Sequence, residues 1–398
     1  MTGVSRRIRR YVLLAFPVHT LNRDLKILFV ANLFASFGDG LTIYLLPLFI
    51  RDIQATPENV GFLFSVLTVA SAVTIIPGGF LADKYDRKKI LLLGWAIWTP
   101  VPLVFAFATL WTQLIPAMFF YGVLISGPAS SAYIVGCSDR SKMASTATML
   151  AAAWGIGYTF APSVSGLLAG TVGRQYVFFL TAIFYLITLV TLTQISSQRA
   201  TPASTCPEDL VESRNGKFEK RNIFYLSVLF ASVMFFLALI FALVPQFLGD
   251  VYNYDVAQIG VFGSFTYFGG STLSLMVGRI GDKRGKTVSI SVSMLLVAIS
   301  LGIFVSTGNF FVLILASFLR GASFPTWALI GATVGPIVPS ASRARWISVV
   351  QTTAQVTSIL APYVGGVLYV ASPQTPFLLT IVAALIISFL AQTKPFKK

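Results

Sequence analysis

Gly79-Phe80-Leu81-Ala82-Asp83-Lys84-Tyr85-Asp86-Arg87-Lys88-Lys89 sets six charged residues between two long apolar runs. Residues 57–82 carry a single charge, Glu58, and residues 90–111 carry none. A chain that leaves lipid and re-enters within a few residues must crowd its polar groups into the turn, because the hydrocarbon offers them no partner. A reduced copy follows as Gly278-Arg279-Ile280-Gly281-Asp282-Lys283-Arg284-Gly285-Lys286. Asp83 and Asp282 are 199 residues apart, half of the 398-residue chain. The sequence therefore reads as two similar halves.

Composition agrees with a membrane setting. The chain is 56% hydrophobic and 11% charged, with a mean hydropathy of +0.80, whereas a soluble domain has about 25% charged residues. The formal charge of +15 does not indicate nucleic acid, because the basic residues punctuate apolar runs and form no stripe. The one histidine, His19, makes no metal cluster. No Walker-type Gly-x-x-x-x-Gly-Lys-Ser/Thr loop is present, so ATP is not the energy source. No enzyme chemistry, cofactor or metal is indicated. Cys137 and Cys206 both fall in segments placed on the inner side below, and no disulfide framework is implied.

Twelve apolar stretches are near or above the roughly 20 residues of a spanning helix. They cover 25–50, 57–82, 90–110, 112–136, 143–170 and 175–197, then 222–249, 256–280, 287–307, 309–335, 346–372 and 374–393. The expected fold is all-α, with twelve transmembrane helices in two pseudo-symmetric six-helix bundles. Residues 25–197 form the first bundle and 222–393 the second. A polar linker covers 198–221, and 1–24 and 394–398 are cytoplasmic ends. Arg6, Arg7, Arg9 and Arg10 precede an apolar run too short for a signal peptide and lacking a small-residue cleavage site. A basic amphipathic helix on the inner membrane surface is the better reading. With the N-terminus inside, 26 of the 29 Lys and Arg fall in inner segments, as the positive-inside rule requires. Both termini are then cytoplasmic, in a multi-pass protein of the plasma membrane.

The doubling recurs elsewhere. Ala161-Pro162-Ser163-Val164-Ser165-Gly166 is matched by Ala361-Pro362-Tyr363-Val364-Gly365-Gly366, and Pro47 by Pro245. Gly79-x-x-x-Asp83-Lys84-x-Asp86-x-Lys88-Lys89 resembles the loop signature of the major facilitator superfamily, with Asp86 where a Gly is usual. The second copy keeps that Gly as Gly285 and lacks the terminal basic pair. Gly157-x-x-x-Ala161-Pro162-x-x-Ser165-Gly166 is similar to the fifth-helix motif of the drug/proton antiporter branch, departing at Ala161 and Ser165. The fourth-span Arg of proton-coupled members is absent; Tyr121 stands at the position that matches Arg320.

These motifs carry physical expectations. Asp83 and Asp282, with Lys84, Lys88, Lys89, Lys283 and Arg140 near them, read as a latch between the halves, or more plainly as charge that sets topology. In the outward-facing state Asp83 is expected near the start of the eleventh span, around Arg345–Ser348, and Asp282 near Met143–Ser145 of the fifth. Gly79 and Gly278 would allow close helix approach; Gly285 permits a positive φ, which Asp86 would also tolerate. Pro162 and Pro362 are expected in mid-helix beside Gly157, Gly166, Gly365 and Gly366, as a seal against leak or as ordinary packing.

Asp39 and Arg320 lie deep in spans, where an ionisable group faces a cavity or a partner. The resemblance implies that the first, fourth, seventh and tenth spans line a central cavity and puts both residues there. They either pair when the cavity closes, or stay apart, in which case desolvation favours the neutral form of Asp39 and makes it a proton carrier. A packing role beside Gly38 and Gly40 is the plainer alternative. Asn32, Tyr44, Ser126, Gln246, Gln351 and Gln355, with Trp154 and Tyr267, are further polar candidates for the cavity or for helix–helix hydrogen bonds. The resulting expectation is a secondary transporter of small organic molecules, working by alternating access and driven by a gradient, with proton-coupled export ahead of a facilitator or importer of a metabolite. A transport-inactive scaffold or sensor is the alternative of another class. Partners are the substrate, protons and the lipid bilayer, with no obligate protein.

Overall fold

A computed structural model of the chain describes residues 21–138, 143–199, 220–338 and 343–393. The described residues form α-helices and short 3-10 turns, with no strand among them. The first half contains α1 (Arg23–Ile43), α2 (Leu45–Asp52), α3 (Pro57–Lys84), α4 (Arg87–Trp98) and α5 (Val101–Phe107). It continues with α6 (Leu114–Gly122), α7 (Ser126–Cys137), α8 (Met143–Thr171) and α9 (Arg174–Leu192). The second half contains α10 (Lys220–Phe241), α11 (Leu243–Tyr252), α12 (Val256–Arg284), α13 (Lys286–Ser306) and α14 (Phe310–Arg320). It ends with α15 (Thr326–Val334), α16 (Arg343–Thr357), α17 (Ala361–Ala371) and α18 (Thr375–Leu390). Among the described residues, nine segments are long and apolar enough to cross a membrane, the longest being Arg23–Asp52 with 30 residues. α8 and α12 run 29 residues each and are richer in Gly, Ser and Thr, while α18 is apolar but has 16 residues.

Several stretches that read as single helices are broken, and proline explains where. Its ring collides with the carbonyl four residues earlier and cannot supply the hydrogen bond that carbonyl expects. Four residues before Pro47 is Ile43, where α1 ends; four before Pro102 is Trp98, where α4 ends; four before Pro245 is Phe241, where α10 ends. Pro362 acts in the same way, and this corrects its expected mid-helix place. α16 stops at Thr357, and Pro362 occupies the first turn of α17, where its missing N–H has no intrahelical partner to lose. Pro162 does lie inside an unbroken helix, α8.

One buried cluster, built around Phe230, Phe247, Phe262, Phe304 and Phe377, fills the second half. Two others, around Phe105 and Phe178 and around Tyr133 and Leu28, fill the first. The halves meet along two seams, α8 on α12 and α3 on α17. Each depends on a glycine that sequence reading did not single out. A methyl group on Gly260 would overlap the Pro162 carbonyl oxygen, and one on Gly61 would overlap that of Pro362. Gly166 meets the backbone at Val256 in the first seam, and Gly366 meets that at Pro57 in the second. Gly157 and Gly365 instead pack within their own halves, against Ser36 and Leu239.

The two charge knots fold differently from one another. Gly285 has φ +104° between α12 and α13, as its sequence context suggests. Asp86 does not take that conformation: it has φ −61° and caps α4, accepting from the Lys88 N–H at 3.0 Å. Its carboxylate also accepts from the Ser197 hydroxyl and from the Gln198 N–H at 3.0 Å, tying the loop to the segment after α9. Burial pushes the Asp86 carboxyl up, but these donors and nearby Lys89 outweigh it and hold it below the usual carboxylate range. Gly79 and Gly278 make no close approach: a methyl at either would have no described atom within 4 Å. For Gly79 the reason is an open cleft beside α3.

Candidate functional site

Between the halves lies a cavity of about 540 Å³, within the size range of small-molecule sites. Its wall takes Asp39 from α1, Tyr121 from α6, Thr266 and Tyr267 from α12, Arg320 from α14 and Gln355 from α16. Phe64, Trp98, Phe241, Phe324 and Trp327 add aromatic rings, and aliphatic side chains such as Leu67, Met234 and Leu237 make up much of the rest.

Asp39 is 8% exposed, and its partners all come from the first half. Oδ1 accepts from the Tyr121 and Tyr185 hydroxyls, the latter at 2.9 Å, and Oδ2 accepts from Tyr158. The neighbouring glycines bring these tyrosines in. A side chain on Gly38 would strike Phe184 and Tyr185 of α9, and one on Gly40 would strike Ala161 and Tyr158 of α8. The packing reading and the functional reading of Gly38-Asp39-Gly40 thus describe one arrangement.

Arg320, also 8% exposed, is held across the seam. Nη2 donates to the Tyr44 hydroxyl of the first half and, at 3.5 Å, to Thr266 Oγ1. The guanidinium carbon sits 5.8 Å from the centre of the Tyr44 ring, a distance at which a cation is drawn to the π face. Tyr44 in turn donates to Thr266 at 3.1 Å. Nε is buried without a hydrogen-bond partner. Ion pairs among the described residues are Arg51–Asp250, Arg174–Asp52 and Lys286–Asp282. Asp39 and Arg320 therefore stay apart in this conformation; three hydroxyls meet Asp39, while neutral oxygens meet only Nη2 of Arg320 among the described residues.

Aromatic rings bridge the two networks. Tyr158 stacks on Trp154 at 5.6 Å and on Tyr267 at 4.6 Å, and Tyr267 stacks on Phe324 at 5.0 Å. The ring that grips Asp39 thus lies face to face with a ring of the other half.

A second cleft of about 490 Å³ shares Trp327 and Gln355 with the cavity. Gly79 and Asp83 of α3 line it, together with Ser348, Gln351 and Thr352 of α16. The central cavity therefore adjoins a cleft at the end that bears the charge knots. At the opposite end α2 and α11 are tied by Arg51–Asp250. Tyr369 donates to Asp250 at 2.9 Å and Tyr363 to Glu58 at 3.0 Å.

The remaining sequence candidates scatter. Asn32 is buried on α1 but lines neither cavity; Ser126 packs on Gly94. Gln246 is fully buried in α11, its Nε2 donating to the Ala242 carbonyl at 3.3 Å and its Oε1 without a partner. Asp83 and Ser348 line one cleft with no contact between them described, whereas Asp282 is exposed and pairs one turn on with Lys286. Lys84 lies 5.6 Å from the Tyr85 ring centre, Lys88 and Lys89 begin α4, and Lys283 is exposed at the end of α12. Arg140 lies outside the described residues. Sequence reading missed Tyr158, Tyr185 and Thr266 and gave Tyr121 no role. A signal existed for the tyrosines, since a hydroxyl within an apolar run must find a buried partner.

A model of the Major Facilitator Superfamily matches residues 28–288 and 225–397. The chain is 26% identical over 165 residues to Multidrug resistance protein 2 of Bacillus subtilis, covering 39% of this chain and 40% of that protein. It is 23% identical over 189 residues to the Quinolone resistance protein NorA of Staphylococcus aureus, covering 46% and 48%. These matches thus span less than half the length of either relative. A longer one, 22% over 317 residues, joins it to the uncharacterized MFS-type transporter MJ1560 of Methanocaldococcus jannaschii, covering 75% and 78%. Among solved structures the chain resembles the nucleoside transporter NupG, with TM-score 0.75, 14% identity and coverage of 95% of this chain and 100% of that one. It also resembles a bacterial homologue of the lysosomal transporter Spinster in an inward-facing and occupied conformation, with TM-score 0.73, 15% identity and coverage of 92% and 96%. At these identities the likeness is one of fold.

Proposed function

We propose that this chain, which belongs to the major facilitator superfamily, is a secondary active exporter of small amphipathic molecules, coupled to protons through Asp39. It is a multi-pass membrane transporter and not an enzyme. In our reading it crosses the plasma membrane twelve times, as two six-helix bundles with both termini in the cytoplasm. The nine long apolar segments, with α8, α12 and α18, supply the crossings.

The observation that carries the reading is the cavity between the halves, with a buried carboxylate and a buried guanidinium in its wall. It adjoins a cleft at one end of the molecule, while pairs such as Arg51–Asp250 join the halves at the other. If the basic loops face the cytoplasm, this is the inward-open state of a rocking cycle. Export is favoured because two relatives bear the names of resistance proteins. Asp39 lines the cavity, where a proton could reach it, and three tyrosine hydroxyls hold its carboxylate in place.

The test is flux in proteoliposomes at several pH values, comparing wild type with Asp39→Asn. Loss of pumping against a gradient, with downhill exchange retained, is the expected result. Pumping that survives with its pH dependence intact would remove Asp39 from coupling. Accumulation only towards the cytoplasmic side would replace export with import.

A further inference from the structure

The two charges in the cavity wall are not equally open to a ligand. A carboxylate has about four acceptor positions and a guanidinium five donors. Asp39 already receives three hydroxyl hydrogen bonds, all from its own half. Among the described residues Arg320 donates only from Nη2, and only to the neutral oxygens of Tyr44 and Thr266. Its Nε has no partner although it is buried, and a buried donor left unpaired carries a penalty that a ligand acceptor can relieve. No described carboxylate lies within ion-pair distance of it. When Asp39 carries a proton, Arg320 is the one full charge left in the wall. The rest of that wall is mainly apolar, with rings such as Trp98, Tyr267, Phe324 and Trp327 beside aliphatic side chains.

From this asymmetry we infer that the cavity takes organic anions: molecules with an aromatic or other apolar body and one carboxylate, sulfonate or phosphate that pairs with Arg320. A planar oxyanion matches the guanidinium fork in two parallel hydrogen bonds, and the apolar body fills the apolar remainder. An organic cation would instead have to compete with three hydroxyls for Asp39 and leave Arg320 unpaired. The inference rests on the reading of this cavity as the substrate site, and it names the substrate class.

Three probes share one body: 1-naphthoate, 1-naphthamide and 1-naphthylmethylammonium. Their binding to the purified full-length protein is measured by titration calorimetry, and their flux in proteoliposomes. Naphthoate is expected to bind about tenfold or more tightly than naphthamide, the worth of a charge-assisted pair. Arg320→Met should erase that preference, and Arg320→Lys should keep part of it. Arg320→Met is expected to fold, because replacing a buried charge that has no acidic partner by an apolar chain of similar length is well tolerated. If it does not, Arg320→Lys decides, since it should weaken naphthoate and leave naphthamide unchanged. Equal binding of the three probes, preference for the cation, or no binding at all would overturn the inference. Anion-selective binding without flux would uphold it and sink the transport reading. Flux of the cation or the amide alone would do the reverse.

Discussion

Asp39 and Arg320 face the same cavity but are anchored in opposite ways. The carboxylate is satisfied within its own half, by hydroxyls of α6, α8 and α9. The guanidinium reaches out of its half to Tyr44. The repeat makes the contrast sharper, because Arg320 and Tyr121 occupy matching positions. In one half that position holds a neutral donor to an acid of the same half; in the other it holds a cation with no acid to meet. A group satisfied internally travels with its half when the halves rock. A group satisfied across the seam must exchange partners. The first arrangement suits a proton site that stays assembled, and the second suits a contact that breaks on each cycle.

Four substitutions test that contrast. Asp39→Ala should have the largest effect on folding, since it leaves three buried hydroxyls facing a void. At about 1–3 kcal/mol for each lost partner, with partial relief by rearrangement, unfolding in detergent should fall by about 3 kcal/mol. A much smaller loss would mean that the tyrosines find other acceptors and do not belong to a fixed site. Gly61→Ala comes next. Its methyl would meet the Pro362 carbonyl across the α3–α17 seam, and overpacking of this kind costs about 1–3 kcal/mol. Because the strain lies between halves, the distribution of open and closed states should move with it, as read by labelling of a cysteine placed at Ser348 in the cleft. Unchanged labelling would show that the seam is not a moving one.

Tyr44→Phe removes the acceptor of Arg320 while keeping the ring. A hydrogen bond to a charged group is worth about 1.5–3 kcal/mol in general, and polar contacts between membrane helices usually measure less, so about 1 kcal/mol is expected. The effect should vanish in an Arg320→Met background if the two residues act as one contact, and additive losses would separate them. Asp86→Ala should have the smallest effect, under about 1 kcal/mol, as loss of an N-cap, and it should not alter cysteine labelling, since all its partners lie in the first half. The pH dependence has a definite sign. The folded Asp86 carboxyl titrates below its unfolded value, so its contribution is present above about pH 4 and is lost as pH falls through the folded value. Acid melts of wild type and variant should converge at low pH, and a constant gap would contradict the assignment.

Much of the architecture is legible in the chain because its causes are local. A helix in lipid satisfies its backbone within the segment, so apolar length and charged turns mark the segments. The helix breaks are local as well, since proline acts on the carbonyl four residues earlier. Ile43, Trp98 and Phe241 as helix ends follow from Pro47, Pro102 and Pro245. Asp86 shows where local reasoning stops. Its place in a turn signature suggests a positive φ, yet Ser197 and Gln198, more than a hundred residues later, recruit it as an acceptor.

The sequence by itself determined that this is a helical membrane protein built as a doubled unit, and that Asp39 and Arg320 are costly residues requiring an explanation. Only the tertiary structure decided what that explanation is. The three hydroxyls on Asp39 come from residues 82, 119 and 146 positions away, and the acceptor of Arg320 lies 276 positions away in the other half. A buried charge cannot borrow partners from its own helix, whose backbone groups are already paired. It takes them from whichever helices the small residues beside it allow to approach, and such distances in sequence leave no pattern until the chain has packed.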